Sequence, residues 1–301
     1  MTPRRLSVVV ASPRRRALLD ACLAALLPQC IDRGAEVIVA RAAGHADLDE
    51  LRRAYSDVQV LAANPGSDIP RLRGLGMNQA AGDLVVVTED HCLAQPGWLA
   101  GLAGASQDAH VIGGSVGNAR DERAVDQAAY YSEYGFFSWT RPPSPTALPL
   151  LTGANVAYAR PVVADVAAWA QEGGWESIAH ERLARRGCRL KFVPEARVMQ
   201  NATFGFGAFC ADRYEHGRDH ARAQLAEYGT LMRWARLFGS PLVPAMLLWR
   251  VYRAAGSQGH VRFLQALPYT AAFLASWSAG EAAGYVRGAM MKPHAEADGR
   301  S

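Results

Sequence analysis

Three side chains with coordination and acid–base chemistry stand side by side at Glu89, Asp90 and His91. They follow Leu84-Val-Val-Val-Thr88, whose apolar residues predict a buried strand. In open α/β sheets, ligands bind just beyond the carboxyl ends of strands. Hard oxygen donors at that place suit a divalent cation that bridges phosphates. Gln95-Pro96-Gly97-Trp98-Leu99 then opens the next element. Other groups with chemical potential are spread along the chain. Arg73 lies in a Gly-rich helix, and Glu176 follows Gly173-Gly174-Trp175. His216 and His220 sit at i, i+4 in an Arg-rich stretch. Such a pair can bind zinc, but no nearby Cys or Glu-x-x-His pattern completes a site, and a solvated polar face is the favoured reading. Arg213, His216, Arg218 and Arg222 together could close over a diphosphate or meet anionic lipid headgroups.

The elements that must position these groups read as a doubly wound sheet. Apolar runs at 6–11, 36–40, 58–62 and 84–87 alternate with helical spacing over 18–27, 47–55 and 69–81. Residues 111–116 form a further strand, in which Gly113 and Gly114 indicate a bulge or a close backbone approach to a ligand. Residues 120–150, rich in aromatics and Pro, predict a helix and then a long loop. Helices near 160–171 and 176–186 precede a strand at 189–193.

Composition sets bounds. The 301 residues are half apolar and carry a net charge of +4, without the basic, aromatic-interleaved stripe of a nucleic-acid binder. Five widely spaced Cys, with no C-x-x-C, argue for a reducing, cytoplasmic setting and against a disulfide framework. Arg outnumbers Lys, and Arg is the better partner for diphosphates. After about residue 205 the chain becomes helical and basic. Residues 238–249 and 263–280 lack charge, but the first is too short and the second too polar for a spanning helix. They read as interfacial segments on the inner membrane face or as a packed helical bundle. A polar tail follows residue 289.

With these pieces placed, the chain resembles the inverting family-2 glycosyltransferases of the GT-A fold. The likeness covers about residues 6–204. Arg71-Leu-Arg73-Gly-Leu-Gly76 is similar to the family's helix before its metal motif, and Thr88-Glu89-Asp90-His91 stands where the family has D-x-D. Thr152-Gly153-Ala154-Asn155 resembles the acceptor-side Gly-x-Asn segment. Gly173-Gly174-Trp175-Glu176 with Arg182-Leu183 and Gly187 resembles the catalytic motif and the helix after it.

The resemblance implies a fold and a set of roles. It implies an α/β GT-A domain over 1–205; the segments beyond it predict a helical extension over 206–301 that either meets the membrane surface or packs as a bundle. Glu89 and His91 would hold the metal. The imidazole implies a preference for Mn²⁺ over Mg²⁺, or weak metal dependence. Asp90, Arg73, Ser12 and Arg218 would face the donor, a nucleotide-diphospho-sugar. Glu176 would be the general base, or else an acid that merely starts a helix. Asn155, Gly153 and Trp175 would border a lipid-linked or cell-envelope glycan acceptor.

Two departures stand out. The second strand runs into Arg41-Ala42-Ala43-Gly44, without the family's base-reading Asp, for which Asp47 or Asp68 would have to substitute. Gln200 stands where the family often has a His. These departures keep open a catalytically impaired scaffold. A nucleotidyltransferase is disfavoured because the loop after the first strand lacks glycines.

Overall fold

A computed structural model describes residues 4–138, 151–225, 243–255 and 260–290. Its centre is β1 (Leu6–Ser12), every residue of which is buried. It runs parallel to β2 (Glu36–Ala42) on one side and β4 (Leu84–Glu89) on the other, and β3 (Val58–Ala63) pairs with β2. Strands covered on both faces are apolar at most positions, which is why β1, β2 and β4 show no alternation, while β3 lies half-exposed at the edge.

The second half of the sheet is mixed. Beyond β4 lie β7 (Asn155–Ala159), antiparallel to both neighbours, then β6 (Val111–Asn118), β8 (Leu190–Gln200) and the short β5 (Cys92–Ala94). The order is β3-β2-β1-β4-β7-β6-β8-β5. β8 runs well past the strand expected at 189–193. A register shift at Gly114/Ser115 re-pairs β6 with β8, from Gly114 opposite Val193 to Ser115 opposite Arg197. The extra residues lie in β8, and Gly114 faces this bulge, where a Cβ would meet the Ala196 carbonyl. Neither β5 nor β7 was among the expected strands.

Helices cover both faces. α1 (Arg16–Asp32) buries Leu19, Cys22, Leu23, Leu26 and Cys30, and α2 (His45–Ala54) buries Leu48 and Leu51. α3 (Ile69–Gln79) starts at Asp68, whose carboxylate accepts from the Arg71 N–H at 2.9 Å as an N-cap. At Gly76 any Cβ would collide with the Val9 side chain, so this glycine lets α3 lie directly on β1. α4 (Trp98–Ala105) follows Gly97, whose φ of 80° needs a residue without a Cβ. α5 (Ala124–Glu133) leads into a 3-10 turn over Gly135–Phe137, and α6 (Arg160–Gln171) and α7 (Glu176–Arg185) lie before β8. The part of the aromatic loop at 139–150 lies outside the described residues, as does the tail from 291.

The C-terminal layer comprises α8 (Phe206–Leu225), α9 (Val243–Ala255) and α10 (His260–Met290). α10 packs along α8 and α5. α8 and α10 approach to backbone contact: a Cβ on Gly217 would meet the Trp277 carbonyl, and one on Gly280 the Tyr214 carbonyl. Phe263, Ala266, Phe273 and Leu274 are buried in this packing. The 263–280 segment is thus largely a bundle face. Among the described residues no helix is long and apolar enough to cross a membrane.

Candidate active site

The ends of β1 and β4, the start of α7 and one face of α8 enclose a cavity of about 460 Å³. Its wall carries Arg14, Arg73, Glu89, Tyr134, Thr152, Trp175, Glu176 and His216. Glu89 ends β4, and the tight turn to β5 puts Asp90 and His91 beneath it. Glu176 is the first residue of α7, where its charge meets the positive end of the helix dipole.

Arg73 ties the two glutamates together. Its Nη2 donates to Glu89 Oε1 at 2.5 Å and its Nη1 to Glu176 Oε2 at 2.8 Å. The other oxygen of Glu176 accepts from the Gly153 N–H at 3.0 Å. Burial disfavours charge on Glu176, but the Arg73 guanidinium and the Gly153 N–H outweigh it and hold its carboxyl below the usual range. Burial works against Glu89 in the same way. The Arg73 charge leads the groups that overcome it, and the carboxyl is pulled down to about 2. Both are carboxylates at neutral pH. Gly153 has a steric duty as well, because a Cβ there would overlap the Arg73 guanidinium.

A second arginine lies among the motif residues. Arg14 Nη1 is 3.2 Å from Glu89 Oε2, 3.0 Å from His91 Nδ1 and 3.5 Å from Asp90 Oδ1. A guanidinium has only donors, so His91 Nδ1 accepts; its Nε2 then carries the proton and faces Tyr134 Oη at 3.1 Å. Asp90 Oδ2 accepts from Ser12 Oγ at 3.0 Å and from the Arg14 N–H at 2.8 Å, while its Oδ1 is buried without a hydrogen bond.

With Arg14 in place, no group of three or more His, Cys, Asp or Glu among the described residues is arranged to hold a metal ion. Two carboxylate oxygens and one imidazole nitrogen converge on a single point, which a cationic nitrogen of Arg14 fills. One of those oxygens has no hydrogen-bond donor, and Tyr134 fixes the imidazole from behind as an outer-shell partner does.

Several expected contacts fall elsewhere. Ser12 is fully buried between Asp90 and Arg41, so it faces no donor. Asp90 is also fully buried and orients the loop after β1 instead of reaching a ribose. Asn155 lies in the core: its Oδ1 accepts from the Trp98 indole at 2.8 Å, and its Nδ2 donates to the Ser115 and Ala196 carbonyls. It knits α4, β6 and β8 together and borders no acceptor. Asp47 is held by both arms of Arg41, at 2.9 and 3.0 Å, and is not free to read a base; Asp68 remains on the cavity wall. Gln200 is buried, with Nε2 donating to the Ala202 carbonyl.

α8 does close over the cavity, through His216, Asp212 and Glu215. His216 stacks on Trp175 with ring centroids 4.0 Å apart. Arg213 turns inward to Glu133 at 3.1 Å. Arg218 pairs with Glu215 and lines a neighbouring cavity of about 610 Å³ with Arg71, Arg182 and Arg222, away from Glu89. It is not a contact of the Glu176 cavity. Sequence reasoning gave Arg14 no site role. Its signal was the arginine run directly after β1, at the mouth of the sheet. His180, also unforeseen, packs behind Glu176 with its Nε2 2.9 Å from Tyr158 Oη, and burial pushes its imidazole down to about 4.

Glu89, at the end of β4, and Glu176, at the start of α7, thus share one cavity at the strand-end edge of an open α/β sheet. The description "Glycosyltransferase like family 2" matches residues 3–212. The chain belongs to this family and is a glycosyltransferase with a GT-A-type fold. Among solved structures it is similar to the mannosyltransferase PcManGT from Pyrobaculum calidifontis in complex with GDP-Man and Mn²⁺, at 16% identity and a TM-score of 0.51, covering 96% of this chain and 87% of that one. It is also similar to GalNAc-T7 with UDP, GalNAc and Mn²⁺, at 13% identity and a TM-score of 0.52, over 73% of this chain and 50% of that one. No curated protein matches the sequence.

Proposed function

We propose that this chain transfers a sugar from a nucleotide-diphospho-sugar to an acceptor hydroxyl with inversion, and that Glu176 is the general base. The observation that carries the reading is the geometry of Glu176. It is an ionised carboxylate, oriented from two sides by Arg73 and the Gly153 N–H, on the wall of the cavity that also holds Glu89. Single displacement at an anomeric carbon needs such a group to take the acceptor proton. Trp175 and His216, stacked on each other, form part of the same cavity wall.

The cavity wall is acidic: Asp68, Glu89, Glu133, Glu176, Asp212, Glu215 and Asp219 face Arg14 and Arg73. A diphosphate enters such a field only with positive charge at hand. A bound divalent cation supplies Lewis acidity toward the departing diphosphate. Glu89 and His91 would hold it with Asp90 beside them. The imidazole favours Mn²⁺ over Mg²⁺, and the two solved structures above carry Mn²⁺.

The acceptor is a lipid-linked or cell-envelope glycan, reached from the cytoplasmic side by a catalytic region, 1–205, whose helical extension touches the inner membrane surface. Support comes from α9 and the start of α10, where Trp249 and Leu264 are about 60% exposed and Met246 about half exposed. Melting curves with UDP-, GDP- and dTDP-sugars, each with Mn²⁺, Mg²⁺ or EDTA, test the donor reading. The expected result is a rise with one nucleotide family, larger with Mn²⁺. No rise with any combination would favour a scaffold that keeps the fold without the reaction.

A further inference from the structure

The position of Arg14 has a consequence for metal binding. Its Nη1 sits 3.0–3.5 Å from Glu89 Oε2, His91 Nδ1 and Asp90 Oδ1, the three atoms that would surround a cation. Asp90 and His91 are wholly buried, whereas the Arg14 side chain is one-quarter exposed and lines the cavity. The guanidinium therefore lies between the solvent and the ligands. It also neutralises them: burial opposes its charge, but Glu89 and Asp90 reverse that and hold Arg14 firmly protonated.

We propose that Arg14 is a tethered competitor for the cation site, so that a divalent metal and the Arg14 guanidinium occupy the Glu89–Asp90–His91 pocket by turns. A metal enters only when Arg14 swings into the cavity. There its planar fork meets the ligand it suits best, the diphosphate of a donor. Donor and metal binding are thereby coupled: the diphosphate draws Arg14 out and the cation takes its place. Without donor the acids are already compensated, and metal affinity is weak. The role of the diphosphate rests on the transferase reading, but the competition does not.

The test is Mn²⁺ binding to the full-length protein without nucleotide, read by the loss of the free-ion electron paramagnetic resonance signal. Removing a like charge about 3 Å from the site leads us to expect Arg14→Gln to bind Mn²⁺ at least about tenfold more tightly than the wild type. The gain should vanish in Arg14→Gln/His91→Ala. Equal affinity of wild type and Arg14→Gln would overturn the proposal, as would a gain that survives loss of His91. Because Arg14→Gln also removes a buried ion pair and could fail to fold, wild-type crystals soaked in Mn²⁺ give an independent reading. The proposal requires any anomalous peak between Glu89 and His91 to coincide with a displaced Arg14. A peak with the guanidinium still in place refutes it. Neither measurement involves turnover, so a failed donor screen and a failed competition are separate results.

Discussion

Two cavities meet at Trp175, and they differ in charge. On the Glu176 side, seven carboxylates face two arginines; on the other side Arg71, Arg182, Arg218 and Arg222 face Asp68, Glu172 and Asp219. The difference lies in burial as well as in count. Arg73 and Glu89 are almost fully enclosed, and each cation there is fixed by more than one acid. In the neighbouring cavity Arg71 and Arg222 are about half exposed and pair with acids three residues away on their own helical turn. Solvent-exposed pairs of that kind contribute little to stability, whereas breaking a buried pair is costly. The first cavity is therefore built for orientation, whereas the second is lined by partly exposed arginines that can adjust.

The contrast is broken most severely at Arg73. Arg73→Met leaves Glu89 and Glu176 buried without their shared cation, and we expect a loss of about 3–5 kcal/mol in denaturant unfolding, together with loss of transfer. Next comes Gly153→Ala, whose Cβ would push into the Arg73 guanidinium. Displacement of a clamped side chain predicts about 1–3 kcal/mol of destabilisation and a matching fall in kcat/KM. A full-activity Gly153→Ala enzyme would mean that Arg73 need not be held in this position.

pH sharpens the comparison. His180 titrates at about 4 when folded, against an ordinary value of about 6.5, so its share of stability is complete above the ordinary value and is lost as pH falls toward 4. Glu89, held at about 2, adds stability that is complete above the ordinary carboxylate value and fades only as pH falls toward 2. Melting temperature should therefore decline in two stages on acidification, and His180→Gln should flatten the first. The acid limb of kcat/KM should lie below the ordinary carboxylate range, because Glu176 stays ionised there. The smallest effect is expected in the second cavity. Arg182→Gln with Arg222→Gln should leave the melting temperature and donor affinity unchanged.

Much of the first half of this fold can be read from the chain. β1, β2 and β4 are largely buried on both faces, so they read as mainly apolar runs, whereas β3 lies half-exposed at the sheet edge; the helices between them show clear periodicity. The second half is less legible for identifiable reasons. β5 has three residues and β7 five, too few to show a period. β8 is interrupted by its own bulge at 194–196, and the α8–α10 seam depends on Gly217 and Gly280, which alone suggest nothing about contact.

The site was legible in part. Glu89, Arg73, Gly153, Trp175 and Glu176, singled out along the sequence, converge on one cavity. Asn155 and Ser12 were assigned to ligands through the resemblance to the family's pattern. Their hydrogen bonds are instead spent on the Trp98 indole and on Asp90. Arg14 has no role in the sequence reading because the loop after β1 is weighed there only as a nucleotidyltransferase loop, and only the fold brings it to the acids after β4.

The central claim is that Glu176 takes the acceptor proton and does not bind the donor. The most direct measurement pairs sugar transfer with nucleotide-sugar binding in Glu176→Gln, which keeps size and hydrogen-bonding capacity but not basicity. The account predicts a fall in kcat of about 10²- to 10⁴-fold with donor affinity unchanged. Transfer at the wild-type rate, or a loss explained wholly by weaker donor binding, would contradict it.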